Sequence, residues 1–415
     1  MVNNVNIKST LLLFLFFIYE NSFYGCNLIN STLQGHSRYV ISLILLLYCV
    51  ISVKYIQYIP KGIKQCFWAI VLIPIISMVN CFYIQNQPFE LSILTWLGHN
   101  AHFLFLFVLF FYKIKINEIV VAIRMFAIIY SILSIVQVIN PSFQILFATF
   151  NEDGSLFMRN GIVRIVMPGS SFVLFAYIES LYRFFENRKK IYLFLIVFFL
   201  VSIYLRQTRQ LFLAIFIVST IMTIHSFKET RNKTYIFTFV IILIIAVLMN
   251  FDSLFGAFIS QTKDEFNDSD YNRWVAYDYF FNEIFSNIFV FFFGMGKAAL
   301  NSSFAKKIEE LWVYDGISRN DVGIVGEWYT FGLFYVLSYL RLCYSIVIKH
   351  RRYIYPLVRY FVICSFCHCM FIFPLDDAVL WSCIIYISIK SINTNDSSFN
   401  RHNKSLYQSG VLGIK

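Results

Sequence analysis

Runs of apolar residues follow one another along this chain, each closed by a charged or turn-forming cluster. They stand near residues 10–25, 39–59, 65–84, 92–112, 118–139, 162–182, 190–205, 209–227, 234–250, 322–348, 354–373 and 376–391. Their lengths are close to the roughly 17–25 residues that cross about 30 Å of hydrocarbon as a helix. Backbone amides find no water in a bilayer, so such a run satisfies them internally by coiling. The pattern predicts an all-α, polytopic integral membrane protein of about twelve transmembrane helices with one large loop.

The polar connections orient this bundle. With the N-terminus in the cytoplasm, alternate connections carry Lys61 and Lys64; Lys113 and Lys115; Arg183, Arg188, Lys189 and Lys190; Lys228, Arg231 and Lys233; then Lys349, Arg351 and Arg352. All are basic, as the positive-inside rule requires. The opposite connections, Gln85 to Glu90 and Pro374 to Asp377, are near-neutral or acidic, and others there carry isolated arginines. An even span count returns Arg401 and Lys404 to the cytoplasm, so both termini are expected on that side. The long segment from Asp252 to Asp321 falls outside, and at roughly 70 residues it is expected to carry function or a small fold of its own. The organisation is a membrane bundle over 1–250 with nine spans, an outer loop over 251–321, spans ten to twelve over 322–392 and a polar, disordered tail over 393–415.

Composition agrees. Of 415 residues, 59% are hydrophobic and 14% charged, against about 45–50% and 25% in globular domains. The net charge of +11 is scattered between apolar runs, whereas a nucleic-acid footprint forms one continuous face, so no nucleic-acid partner is expected. Cys49, Cys66, Cys81, Cys343, Cys364, Cys367, Cys369 and Cys383 lie inside apolar segments, where free cysteine behaves as a small hydrophobe. Tyr24 stands where a lipoprotein signal ahead of Cys26 wants a small residue, so Leu11 to Tyr24 reads as a retained first span.

Several short patterns invite chemistry. Asp268-Ser-Asp270 matches the Asp-x-Asp of metal-dependent glycosyltransferases, but no doubly wound domain surrounds it, and a solvated loop without metal is expected. Cys364-Ser-Phe-Cys367-His368 fits a haem-attachment spacing inside an apolar run, where helix packing is the favoured reading. Phe293-Gly294-Met295-Gly296 opens like a dinucleotide fingerprint without its third glycine, which favours a tight turn. No phosphate-loop motif for ATP occurs, and no cofactor is expected. His99 and His102, at i and i+3, are expected on one face of one helix.

The outer-side cations are largely arginines: Arg159 and Arg164, then Arg206 and Arg209 in the turn Tyr204-Leu-Arg-Gln-Thr-Arg209, then Arg273 and Arg319. Guanidinium forks bind phosphate bidentately and tolerate dehydration better than ammonium, so arginines at a membrane surface suit a lipid pyrophosphate. Headgroup anchoring is the bland reading of any single one. As a set they oppose the usual sidedness of positive charge, which favours a ligand.

The segment Tyr271-Asn-Arg273-Trp274-Val-Ala276, then Phe289 to Gly296, then Asp321-Val-Gly323-Ile-Val-Gly326-Glu327 with Phe331-Gly332, resembles the outer loop and following helix of O-antigen polymerases, the Wzy family. Arg206-Gln-Thr-Arg209 is similar to a turn shared with the related O-antigen ligases. These motifs cover about a fifth of the chain. The resemblance implies a bacterial inner-membrane glycosyltransferase of lipopolysaccharide biosynthesis whose large loop is periplasmic. It would move a growing polysaccharide from one undecaprenyl pyrophosphate onto the non-reducing end of a fresh lipid-linked repeat. Undecaprenyl-pyrophosphate-linked oligosaccharides and a chain-length regulator protein are the implied partners.

A pyrophosphate leaving group needs charge stabilisation more than a general acid, and Arg206, Arg209, Arg273, Arg159, Arg164 and Arg319 are the candidates to bind it. The attacking hydroxyl needs a base. The loop holds no histidine, so Asp321 or Glu327, or else Asp315, is expected to serve. Ligases carry a histidine in the stretch matching Arg319-Asn-Asp321-Val, and its absence favours a polymerase over a ligase. A flippase or transporter of lipid-linked sugars is the rival from another class; it calls for internal repeats and mid-membrane charges, whereas Arg124, Glu179, Arg341 and Arg359 are expected toward cytoplasmic helix ends.

Overall fold

The computed structural model describes residues 6–21, 31–140, 158–159, 162–164, 169–206, 208–229, 272–370, 373, 375 and 377–408. The expected ninth span at 234–250 and the Asp268-Ser-Asp270 motif lie outside them.

The described chain is helical. In order it forms α1 (Ile7–Asn21), α2 (Ser31–Ile51), α3 (Lys61–Gln85), α4 (Phe89–Gly98), α5 (Phe105–Phe111), α6 (Ile116–Ile139), α7 (Ser170–Asn187), α8 (Lys190–Leu205) and α9 (Arg209–Glu229). Then follow α10 (Asn272–Ser286), α11 (Ile288–Phe293), α12 (Ser303–Asp315), α13 (Gly323–Phe331), α14 (Leu333–Tyr344), α15 (Pro356–His368) and α16 (Ala378–Gln408). Short 3-10 turns at Val53–Tyr58, Asn100–Leu104 and Arg319–Asp321 join some of them.

By length and hydropathy α3 and α6 can each cross a membrane, and α4 with Asn100–Phe111 makes a third crossing if that pair, bent by 44°, counts as one span. Helix α8 shows why such elements form. Leu195, Ile196 and Phe199 are buried while Ile191, Phe194, Val197 and Val201 are exposed, so it is apolar on both the packed and the outward side, as lipid contact requires.

The bundle core runs through most helices. Helix α7 packs on α6 and α8, α1 on α6, α3 on α14, α15 on α9, and α16 on α5. Trp381 and Tyr386 of α16 are fully buried at its centre. Tyr386 donates to the Ile114 carbonyl at 2.7 Å and Ser382 to that of Phe103 at 2.8 Å, which fixes α16 against the third apolar pair.

Several expected boundaries move. The helix expected from 162 starts later: Ile162–Val163 pairs antiparallel with Met158–Arg159, and α7 begins after Gly169, whose φ is 86°. The run at 322–348 is broken at Gly332, where φ is 85° and ψ 171°. The tail expected to be disordered from 393 continues α16 through Gln408 instead, because none of Asn393 to Gln408 is a proline or glycine that would stop it. His99 and His102 do not share a regular helix; His99 caps α4 and His102 belongs to the 3-10 turn at the bend.

A second, smaller hydrophobic cluster gathers Ala276, Phe280, Ile284, Val290, Met295, Phe304, Ile317, Val322, Val325 and Tyr329 with Cys81 of α3. Residues 272–331 thus have a core of their own, seated on the C-terminal end of α3.

Candidate site at the C-terminal end of α3

The seat is built from backbone. Met295 N–H donates to the Tyr329 carbonyl at 2.7 Å and Gly296 N–H to that of Thr330 at 2.8 Å, so the Phe293-Gly294-Met295-Gly296 turn is spliced onto the end of α13. A Cβ on Gly294 would lie 2.3 Å from the Thr330 oxygen, and one on Gly332 2.3 Å from the Phe292 oxygen. The near-fingerprint glycines therefore serve close backbone approach. Asn80 of α3 donates to the Gly294 carbonyl at 2.8 Å and to that of Phe289 at 3.1 Å.

Gln87 completes the attachment. Fully buried, it accepts from Ala299 N–H at 2.8 Å and donates to the Lys297 carbonyl at 3.2 Å and to Ser92 Oγ at 2.8 Å. Replacing it by alanine strands those groups, each costing about 1–3 kcal/mol when buried without a partner. Gln87→Ala should lower the thermal midpoint of the detergent-solubilised protein by several degrees; an unchanged midpoint would contradict this attachment.

The Asp321-to-Glu327 motif has an equally physical basis. Gly323 has φ 46° and sits against the Cys369–Met370 backbone, while Ile324 N–H donates to the Cys369 carbonyl at 2.9 Å. A Cβ on Gly326 would lie 2.2 Å from the Arg319 carbonyl oxygen. With both spacers in place, α13 turns Glu327 and Thr330 toward the Arg319 side chain. Arg319 Nη1 donates to Thr330 Oγ1 at 3.2 Å and lies 3.9 Å from Glu327 Oε1. Glu327 is buried, so this carboxylate is held by a guanidinium rather than by water.

Asp321 is half-buried at the end of the 3-10 turn. Burial raises its carboxyl pKa above the ordinary value, and the positive charges of Arg273 and Arg164 pull it part of the way back. Those two arginines, from α10 and from the strand pair, thus converge on one acid from sequence positions more than a hundred residues apart. Arg164 also donates from Nε to the Arg206 carbonyl at 3.1 Å, which joins the α8–α9 turn to the same place. Arg159 ends the first strand and Arg209 opens α9. Of the arginines singled out in the sequence, Arg164 and Arg273 act on Asp321, the Arg206 backbone is bonded to Arg164, and Arg319 pairs with Glu327. Asp315 ends α12.

Sequence reasoning missed neighbours. Arg38 of α2 and Lys297 act, with Arg319, on the His99 ring, so the positive field extends over α2 and α4. His102 pairs through Nδ1 with Glu20 of α1. Neither cation carried a motif; Lys297 is held near α3 in part by the Gln87 bond to its carbonyl. Within the bundle, Glu179 of α7 is fully buried, ion-paired with Arg124 of α6 and bonded by Arg183 at 3.2 Å. A charge sealed between two guanidinium groups is a helix-to-helix tie rather than an open site. Cys364 and His368 are buried in α15. Among the described residues no group of three His, Cys, Asp or Glu side chains is placed to hold a metal ion.

Comparison with protein-family models gives no match, and comparison with curated proteins gives none either.

Proposed function

We propose that this protein is a membrane glycosyltransferase that polymerises lipid-pyrophosphate-linked sugar repeat units, with about twelve spans and with the 272–331 unit on the outer face of a bacterial inner membrane. The observation that carries the reading is the convergence of Arg164 and Arg273 on half-buried Asp321, with Arg164 also bonded to the Arg206 carbonyl. Two guanidinium groups beside one carboxylate leave a surplus of positive charge at a membrane-associated surface. That surplus is what a departing diphosphate requires, and the carboxylate is what an attacking hydroxyl requires.

In the proposed reaction the acceptor sugar oxygen forms a bond to the anomeric carbon of the growing chain. The bond from that carbon to the pyrophosphate oxygen breaks, and the undecaprenyl pyrophosphate leaves with the electron pair. The hydroxyl proton passes to Asp321 or Glu327. Arg206, Arg209, Arg273 and Arg164 hold the leaving diphosphate; Arg159 and Arg319 hold the second lipid or support the site. Ion-paired Glu327 is less available to accept a proton than Asp321, which favours Asp321 as the base. The absence of a histidine among residues 272–321 supports a polymerase over a ligase, and a buried, doubly paired Glu179 offers a transporter no exchangeable charge.

A deletion strain tests this through its glycan. A polymerase leaves one repeat unit on the lipid anchor, and complementation with Arg273→Ala or Arg164→Ala should fail to restore long chains although the protein reaches the membrane. Lipid-linked polymer accumulating would identify a ligase, and single repeats trapped on the cytoplasmic side a flippase.

A further inference from the structure

Helix α3 joins two charged ends. At about 1.5 Å rise per residue its 25 residues separate Lys61 from Gln85 by roughly 36 Å. The C-terminal end carries the candidate site; the N-terminal end opens into a cavity of about 760 Å3 at the opposite pole of the bundle.

That cavity is lined by Lys61, Lys64 and His350, by Gln57, Gln65 and Asn393, and by Tyr58, Tyr353 and a few apolar groups, with no carboxylate among its described lining residues. Its walls are held by side-chain bonds. Asn393 of α16 donates to the Tyr58 carbonyl at 3.0 Å, and Arg341 donates to Gln65 at 2.8 Å, which brings a further cation to the rim. The Lys349 ammonium approaches within 3.9 Å of a Cβ built on Gly62. The backbone of Lys64 bonds to the Pro60 carbonyl, so the amides of Lys61, Gly62 and Ile63 are the open first turn of α3 and add the positive end of its dipole. Lysines, a histidine, helix-end amides and neutral donors around one cavity, with no acid among the described lining residues, form a receptor for a compact multiply charged anion. The volume falls within the range of about 300–1,000 Å3 that ligand sites occupy.

We propose that this cavity binds a phosphate-bearing ligand, with the headgroup of an anionic phospholipid of the adjoining leaflet as its source. Lys61 and Lys64 hold the phosphate oxygens. The site is separate from the arginine group at the other end of α3 and does not depend on the polymerase reading.

Native mass spectrometry of the full-length protein released from nanodiscs tests it, with phosphatidylglycerol or cardiolipin against phosphatidylcholine, and with inorganic pyrophosphate added in a parallel arm. Retention of the anionic lipids is expected to fall about fivefold for each of Lys61→Gln and Lys64→Gln, the effect of one lysine near an anionic surface. Lys64→Arg should restore retention, and Lys306→Gln, on exposed α12, should change nothing. If pyrophosphate binds with the same dependence on the two lysines and anionic lipid does not, the phosphate site stands with a soluble source. Equal retention of phosphatidylcholine, or anion binding that ignores both lysines in variants with wild-type melting, would overturn the proposal.

Discussion

Gly332→Ala should destabilise the protein by at least about 3 kcal/mol and remove most of it from the membrane fraction. With φ 85° and ψ 171° the residue occupies a region that is essentially glycine-only, where strain alone costs about 1–3 kcal/mol. The added Cβ would also meet the Phe292 carbonyl oxygen at 2.3 Å, a backbone atom that cannot rotate away. Gly294, with φ 76° and ψ 169°, faces the Thr330 backbone at the same distance and should behave alike. Both glycines maintain one splice between the α11 turn and the α13–α14 break, so the double variant should lose less than the sum of the single losses. Melting of the purified variants, with membrane abundance, checks this; wild-type values for either single variant would contradict the splice.

Asp321→Asn is expected to reduce polymerisation by about 10²–10⁴-fold, the range supplied by a positioned general base, while leaving the melting temperature unchanged or slightly higher. The sign of the second effect follows from the raised carboxyl pKa. A folded-state pKa above the unfolded value means that the ionised form is less welcome in the native protein. The ionised group costs stability at neutral pH, and that cost is relieved as pH falls through the folded-state pKa. Removing the charge therefore separates chemistry from folding. The acid limb of the activity profile should lie above the ordinary carboxylate range. Arg273→Gln should raise the Asp321 pKa higher still, since a charge that pulls it down is lost, and the pH dependence of melting reads this without activity. The same pH dependence of melting in Arg273→Gln and wild type would show that Asp321 does not sense Arg273.

The sequence made the straight apolar helices legible because their signal is local. Helices α3, α6 and α8 are apolar all round, and their ends fall at lysines, arginines and Asn-Gln-Pro turns. The breaks were opaque for the converse reason. Hydropathy continues unbroken through Phe331-Gly332-Leu333, and only the backbone approach of Phe292 forces the left-handed conformation there. The 44° bend after α4 likewise hides in Trp96-Leu-Gly-His99, a stretch without proline. Charge sign alone singled out Arg164 and Arg273, and the structure sets both near Asp321. Site residues were invisible where placement depended on pairing across the chain: Gln87 meets Ala299 at a separation of 212 residues, and Lys297 acts on the His99 ring.

On this proposal the arginine group about Asp321 carries sugar transfer from a lipid pyrophosphate. Its most direct test is reconstitution: purified full-length protein in proteoliposomes, supplied with lipid-linked repeat units extracted from the deletion strain, with products resolved by chain length. A ladder of polymer with release of the pyrophosphate lipid in step, absent with Arg273→Ala, is the expected result. Repeat units that remain single beside a folded wild-type protein, or a ladder undiminished by Arg273→Ala, would contradict it.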